Sequence, residues 1–186
     1  MFDVDEFVAE CHAALGESEA RQAIRELLER TIASADDVAA ALQPLEGDVS
    51  VLYGSAELTV VHAVWAPGMD LYPHDHRMWA AIGVYAGREN NAFFRRSAPA
   101  EPTLVESGGR DVTAGEVLLL GDDVIHSVAN TSDRLTAAIH VYGGDFVHQP
   151  RSQWGPGERV ERPFDLEEAR RQFARANAAW HATSPN

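Results

Sequence analysis

Eight histidines stand at positions 12, 62, 74, 76, 126, 140, 148 and 181, and two of them lie two residues apart in Pro73-His74-Asp75-His76. On a strand, residues i and i+2 project to the same side. Two imidazoles on one face, about 7 Å apart along the strand, can converge on a single ion. The same pair is also compatible with two exposed or hydrogen-bonded histidines. Lysine is absent, and all fifteen basic residues are arginine. Schiff-base and lysine-base chemistry are therefore excluded, and an anionic group on a substrate can be met only by arginine, histidine, metal or backbone.

A formal net charge of -14 repels nucleic acid and anionic lipid at long range. No stretch approaches the roughly 20 apolar residues of a membrane helix. The single cysteine, Cys11, cannot form an intramolecular disulfide and fits a reducing compartment. Asp3, Asp5 and Glu6 stand where a secretory signal would be basic and then apolar. A cytoplasmic protein is expected.

The elements that must position these histidines follow from periodicity. The 186 residues suffice for one domain with a sizeable core. The reading divides that domain into a helical segment over 1–46, a barrel over 47–150, and a C-terminal loop and helix over 151–186. Phe2, Phe7, Val8, Cys11 and Leu15 share one helical face, and Gly16 ends that segment. Ser18 is placed to cap a second helix with Ile24, Leu27, Leu28 and Ile32 as its apolar stripe. A third, short helix starts near Asp36 and stops around Gln43-Pro44. From Gly47 the pattern changes to short apolar runs, with strands expected at 49–54, 57–66, 78–86, 91–97, 103–106, 116–120, 125–130 and 134–142. Many short strands at near-regular spacing predict a mainly β sandwich or barrel. After a Gly/Pro-rich stretch from Gly143 to Pro163, Asp165 caps a final helix carrying Leu166, Ala169, Phe173 and Trp180.

The histidine spacing carries a resemblance. Gly68 is followed by five residues and then His74-Asp75-His76, with Gly87 closing the segment; Gly115 precedes His126 by ten intervening residues, and Asn130 follows. Residues 68–130 thus resemble the two motifs of the cupin family, which implies a double-stranded β-helix (a jelly-roll barrel) with N-terminal helices and a C-terminal helix around it. The resemblance makes His126 the third metal ligand beside His74 and His76. The glutamate usual in the first motif falls on Ala80, and the proline and glycine of the second fall on Gly121 and Asp123. Three neutral imidazoles leave a divalent ion its full charge, which favours an anionic exogenous ligand in a low-dielectric barrel. A thiolate suits iron, although imidazole ligands leave nickel, manganese and zinc open.

Within that family, Pro73 to Gly87 and the run Ile139-His140-Val141-Tyr142-Gly143-Gly144 look like the corresponding stretches of bacterial thiol dioxygenases, especially 3-mercaptopropionate dioxygenases. There a Ser-x-His-x-Tyr run sets the tyrosine hydroxyl over the open face of the metal, with the histidine orienting it. Tyr142 and His140 match, whereas the serine falls on Ala138. The resemblance covers roughly residues 45–155, and implies Fe(II), dioxygen and a small thiol such as 3-mercaptopropionate or cysteine, oxidised to a sulfinate. Arg151, nine residues after Tyr142, matches the family's carboxylate-binding arginine. No arginine lies near Tyr53-Gly54-Ser55, where mammalian cysteine dioxygenases clamp the carboxylate, and Ala80-Ala81 rules out their tyrosine–cysteine cross-link. A cupin dioxygenase that cleaves a carbon–carbon bond and a non-catalytic ligand-binding cupin are the alternatives. A monomer or homodimer is expected. Asp75 and Arg77 are expected to point away from the metal, only one of Arg95 and Arg96 to face inward, and His62 to be a core or rim residue.

Overall fold

Helix α1 (Val4–Leu15) begins where the Asp3 side chain accepts the Glu6 amide, and it buries Phe7, Val8, Cys11 and Ala14. The computed structural model describes residues 1–97, 103–155 and 160–183. Helix α2 (Ala20–Ile32) buries the expected stripe of Ile24, Leu27, Leu28 and Ile32. Ser18 is not its cap. The first carbonyl to accept helical amides is that of Glu19, which takes Gln22 and Ala23, so Ser18 lies one residue too early. Helix α3 (Ala35–Leu42) stops at Gln43, which turns the chain in the left-handed conformation with φ of 47°.

Among the described residues eleven strands follow: β1 (Asp48–Gly54), β2 (Thr59–Trp65), β3 (Asp70–Asp75), β4 (Ala80–Ala86), β5 (Arg88–Arg96), β6 (Leu104–Thr113), β7 (Val117–Leu120), β8 (Ile125–Ala129), β9 (Thr136–Tyr142), β10 (Ser152–Gln153) and β11 (Arg162–Pro163). They form two antiparallel sheets, in the orders β1-β2-β9-β4-β7 and β11-β10-β3-β8-β5-β6. Strands β2 to β9 alternate between the sheets except for the β5–β6 hairpin, which is the jelly-roll order. The fold is the double-stranded β-helix that the sequence led us to expect.

Two differences from the sequence expectation bear on the site. Strand β3 was not among the expected strands, because Pro73 reads as a breaker. It fits because the β3–β8 ladder is irregular between Leu71 and His74, while the Pro73 carbonyl accepts the Trp154 amide on the other side. Strands β5 and β6 are longer than their expected 91–97 and 103–106, and run on through Gly108-Gly109. Gly109 serves close approach: a Cβ there would lie 2.9 Å from the Asn91 carbonyl oxygen. The second sheet also continues past residue 150, where β10 pairs with β3 and β11 with β10.

Helices α1 to α3 cover the outer face of the first sheet, where Val60, Val64, Ala81, Tyr85, Ala137, Ile139 and Val141 join their apolar stripes in one cluster. Strands β2 and β9 are consequently buried on both faces. Helix α4 (Leu166–Thr183) starts at Asp165, whose side chain accepts the Glu167 and Glu168 amides. Its Ala169 and Phe173 pack with Trp65, Leu71 and Val128 at one end of the barrel interior. At the corner between β4 and β5, Gly87 has φ of +72°, and a Cβ there would meet Thr136 Oγ1 at 2.4 Å. Only glycine makes that corner, which sets the register of β5.

Candidate metal centre

His74 on β3 and His126 on β8 are directly opposed in the sheet register, and His76 follows immediately after β3 ends. The three rings lie with centroids 4.7, 5.1 and 5.0 Å apart. One ligand atom from each lies within 4.8 Å of the others, and all three residues are buried. His76 Nε2 and His126 Nε2 face one another at 3.3 Å. Two nitrogens that each bind one ion at about 2.0–2.1 Å sit roughly 3.0–3.4 Å apart, so the spacing fits shared coordination. The far nitrogens are also engaged: His74 Nδ1 donates to the Tyr72 carbonyl at 3.1 Å and His126 Nδ1 to Asn91 Oδ1 at 2.9 Å. Those bonds fix the tautomers and leave each Nε2 lone pair directed at the common centre.

Burial holds the imidazoles neutral. His74 is lowered to about 4 by loss of solvent. His76 and His126 fall well below the usual value, first from burial and then from the neighbouring histidines. Neutral, desolvated, convergent imidazoles are the donor set a divalent ion requires. Asp75 is not among the donors. Its carboxylate points the other way, accepts the Ser152 amide at 2.6 Å and pairs with Arg77 at 3.3 Å and Arg96 at 3.4 Å. Arg95 and Arg96 are both solvent-exposed, a departure from the expectation that one would face inward. The fixed point is Glu161, which draws the Arg96 side chain along the outer surface toward Asp75.

No protein-family profile matches the chain. Solved structures do resemble it. One is an RmlC-like cupin family protein with a double-stranded β-helix fold from Methanocaldococcus jannaschii, at 13% identity and a TM-score of 0.42, over 53% of this chain and 81% of that one. A protein from Bacillus halodurans has 16% identity and a TM-score of 0.48, over 58% of this chain and 78% of that one. A cupin domain from Bordetella pertussis has 17% identity and a TM-score of 0.38, over 52% of this chain and 92% of that one. The strand order within this chain carries the fold.

Beside the histidines runs a buried hydrogen-bonded chain. Tyr142 Oη lies 3.0 Å from His140 Nδ1, and His140 Nε2 lies 3.2 Å from Glu89 Oε1. Trp65 Nε1 donates to the same Glu89 oxygen at 2.7 Å. The Tyr142 ring stands edge-on to His76 at 5.1 Å and stacks on Phe146 at 4.0 Å. Burial raises the Tyr142 hydroxyl well above the ordinary phenol value, with the Arg151 cation opposing that shift.

The sequence offered no partner for the outer side of His140, since Ala138 stands where the relay serine would be. Glu89 fills the role from another strand, with none of its surface exposed to solvent. With β5 taken to begin at 91, Glu89 falls outside the strand. The signal that would have found it is parity: from the Gly87 corner, Glu89, Asn91 and Phe93 share the inward face, so the relay carboxylate and the His126 partner are two residues apart.

Arg151 enters the same cavity. Its guanidinium lies 4.0 Å from the Phe146 ring centre and 4.2 Å from that of Phe164, and it donates to the Phe146 carbonyl. No carboxylate among the described residues forms an ion pair with it. Burial lowers its pKa, and its charge presses His74 and His76 further toward neutrality. The cavity encloses about 920 Å³ and is lined by all three histidines, His140, Tyr142 and Arg151.

Of the remaining histidines, His62 is in the core against the Tyr85 hydroxyl at 2.7 Å. His12 meets the Tyr53 hydroxyl, His148 meets Asp145, and His181 lies beside Trp180. Cys11 is fully buried, with its thiol pushed up to about 12, chiefly by burial. No helix among the described residues is long and apolar enough to cross a membrane.

Proposed function

We propose that this protein is a non-haem iron(II)-dependent dioxygenase that converts a thiol into its sulfinate. The observation that supports it most is the convergence, on one cavity, of three neutral imidazoles, the Tyr142–His140 pair and an arginine that holds no carboxylate among the described residues. Fe(II) bound by His74, His76 and His126 would supply the open positions at which a thiolate and dioxygen meet. The overall change is balanced without an external reductant: sulfur gives four electrons, dioxygen takes four, and both oxygen atoms end on sulfur.

The chain's own groups have defined tasks in this reading. Arg151 receives the substrate carboxylate, with its guanidinium plane held between Phe146 and Phe164. Glu89 Oε1 accepts from Trp65 and so also accepts the His140 Nε2–H. In the neutral ring Nδ1 is then an acceptor and takes the Tyr142 O–H, which turns the phenol lone pairs to the cavity. The proton given up by the substrate thiol, taken up on His140, would reverse that bond, so that Nδ1–H donates to the phenol oxygen and frees Tyr142 O–H to donate to a developing anionic oxygen.

Oxygen uptake by iron-loaded protein, together with sulfinate detection, tests this against 3-mercaptopropionate, cysteine and cysteamine. Uptake and sulfinate with a thiol are expected, and their loss in His126→Ala. Absence of uptake with every thiol would remove the reading. The largely apolar wall of the cavity also suits a second reading, cleavage of a carbon–carbon bond in a diketone or phenolic substrate, which uptake with those compounds alone would favour.

A further inference from the structure

We infer that the substrate carries, beyond its thiol and one anionic group, an apolar body that fills the outer half of the cavity. This deepens the dioxygenase reading above and rests on it for the reacting end.

Size is the first support. At roughly the 30 Å³ that a liquid water occupies per non-hydrogen atom, 3-mercaptopropionate needs on the order of 200 Å³. The cavity holds about 920 Å³, the range of sites that enclose much larger ligands. The composition of the walls is the second. Three residues along β3 and two along β8 from the paired His74 and His126, the register brings Leu71 opposite Val128, and the lining continues through Ala63 and Trp65 to Phe173 of α4. These residues present hydrocarbon and no charge.

The mouth is the third support. Val49, Val51, Val147 and Leu166 are 40%, 50%, 47% and 48% exposed, and all four line this opening. Single exposed apolar side chains are ordinary, but four from three separate segments converging on one cavity make a patch. Charge narrows the class further. Arg77, Arg162 and Arg170 at the cavity wall are paired with Glu161, Glu168 and Glu167 respectively, whereas Arg151 pairs with no described carboxylate. Glu46, Asp48 and Glu161 also line the wall, which disfavours a second negative charge on the substrate. The class is a mercapto acid with an uncharged alkyl or aryl substituent.

The test is calorimetric, on protein loaded with redox-inert zinc and kept anaerobic, titrated with 3-mercaptopropionate and with its 2-methyl, 2-butyl and 2-benzyl derivatives. Affinity is expected to rise about fourfold per buried methylene, so that the butyl compound binds more than about 50-fold tighter than the parent. The double substitution Val49→Ser with Val51→Ser, on an exposed edge strand, should flatten the series, and so should Phe173→Ser. Equal affinity across the four compounds would overturn the inference. Because no oxidation is involved, a rising series without sulfinate from any iron-loaded assay would sink the dioxygenase reading alone, and a flat series with turnover would sink this inference alone.

Discussion

Glu89 Oε1 lies 3.2 Å from His140 Nε2, on the opposite side of that imidazole from the Tyr142 hydroxyl. The carboxylate, from β5, therefore controls which nitrogen of a β9 histidine carries hydrogen. It does so at a distance from the three metal-directed rings. Replacing Glu89 by Ala should lower kcat about 10- to 100-fold, the usual cost of losing a group that orients a reacting one. Bound iron should remain at the wild-type level. Steady-state oxygen uptake alongside metal analysis checks both, and a fall in iron content would assign Glu89 to the metal site itself.

Removing a ligand should separate metal from fold. His126→Ala is expected to abolish stable iron binding and activity while the far-UV circular dichroism stays that of the wild type. The jelly roll is held by clusters that do not need the ion, Ile139, Val141 and the α2 stripe among them. Chelation of the wild-type protein should give the same inactive, folded state, and added Fe(II) should restore it.

Arg151→Gln should raise KM for 3-mercaptopropionate by about 10- to 100-fold, since a hydrogen-bonded charge pair contributes about 1.5–3 kcal/mol. Cysteamine, which lacks a carboxylate, should be unaffected. Arg151→Lys should recover little, because an ammonium does not fill the planar slot between Phe146 and Phe164.

Acid should destabilise the protein through His62. Burial lowers its pKa to about 4, the neighbouring His140 adds to the shift and Asp48 opposes it. A depressed folded value means that the unfolded chain takes up the proton first. The contribution of His62 is therefore intact above about pH 6.5, declines as pH falls toward about 4, and changes no further below that. The loss is on the order of 3 kcal/mol. His62→Gln can still meet the Tyr85 hydroxyl but has no proton to gain. Urea titrations of both proteins across this range should show a shallower pH slope for the variant. Parallel slopes would refute the assignment.

The sequence made the β region legible through its turn punctuation, and the ligand histidines through one i, i+2 pair and a spacing. Where it failed, the cause was long-range. Pro73 reads as a stop, yet β3 tolerates it, since a ladder irregularity spares its missing amide and Trp154, just after β10, uses its carbonyl. Gly108-Gly109 reads as a turn, yet backbone crowding by Asn91 requires glycine within the strand. Glu89 was invisible as a functional group because its partners, Trp65 and His140, are 24 and 51 residues distant. Local pattern reports faces and ends; it does not report which faces meet.

The ligand strands β3 and β8 belong to one sheet and the relay strand β9 to the other. The gap between Tyr142 and the histidines is thus a spacing between two walls, set by whatever is wedged between them. Val61, from the first sheet, and Val112, from the second, are buried in the cluster that also contains Tyr142. A change of one methylene there would move the phenol by a fraction of an ångström. Reactivity at the site would register such a shift well before thermal stability did, so evolution could retune it without altering a single residue that faces the three histidines.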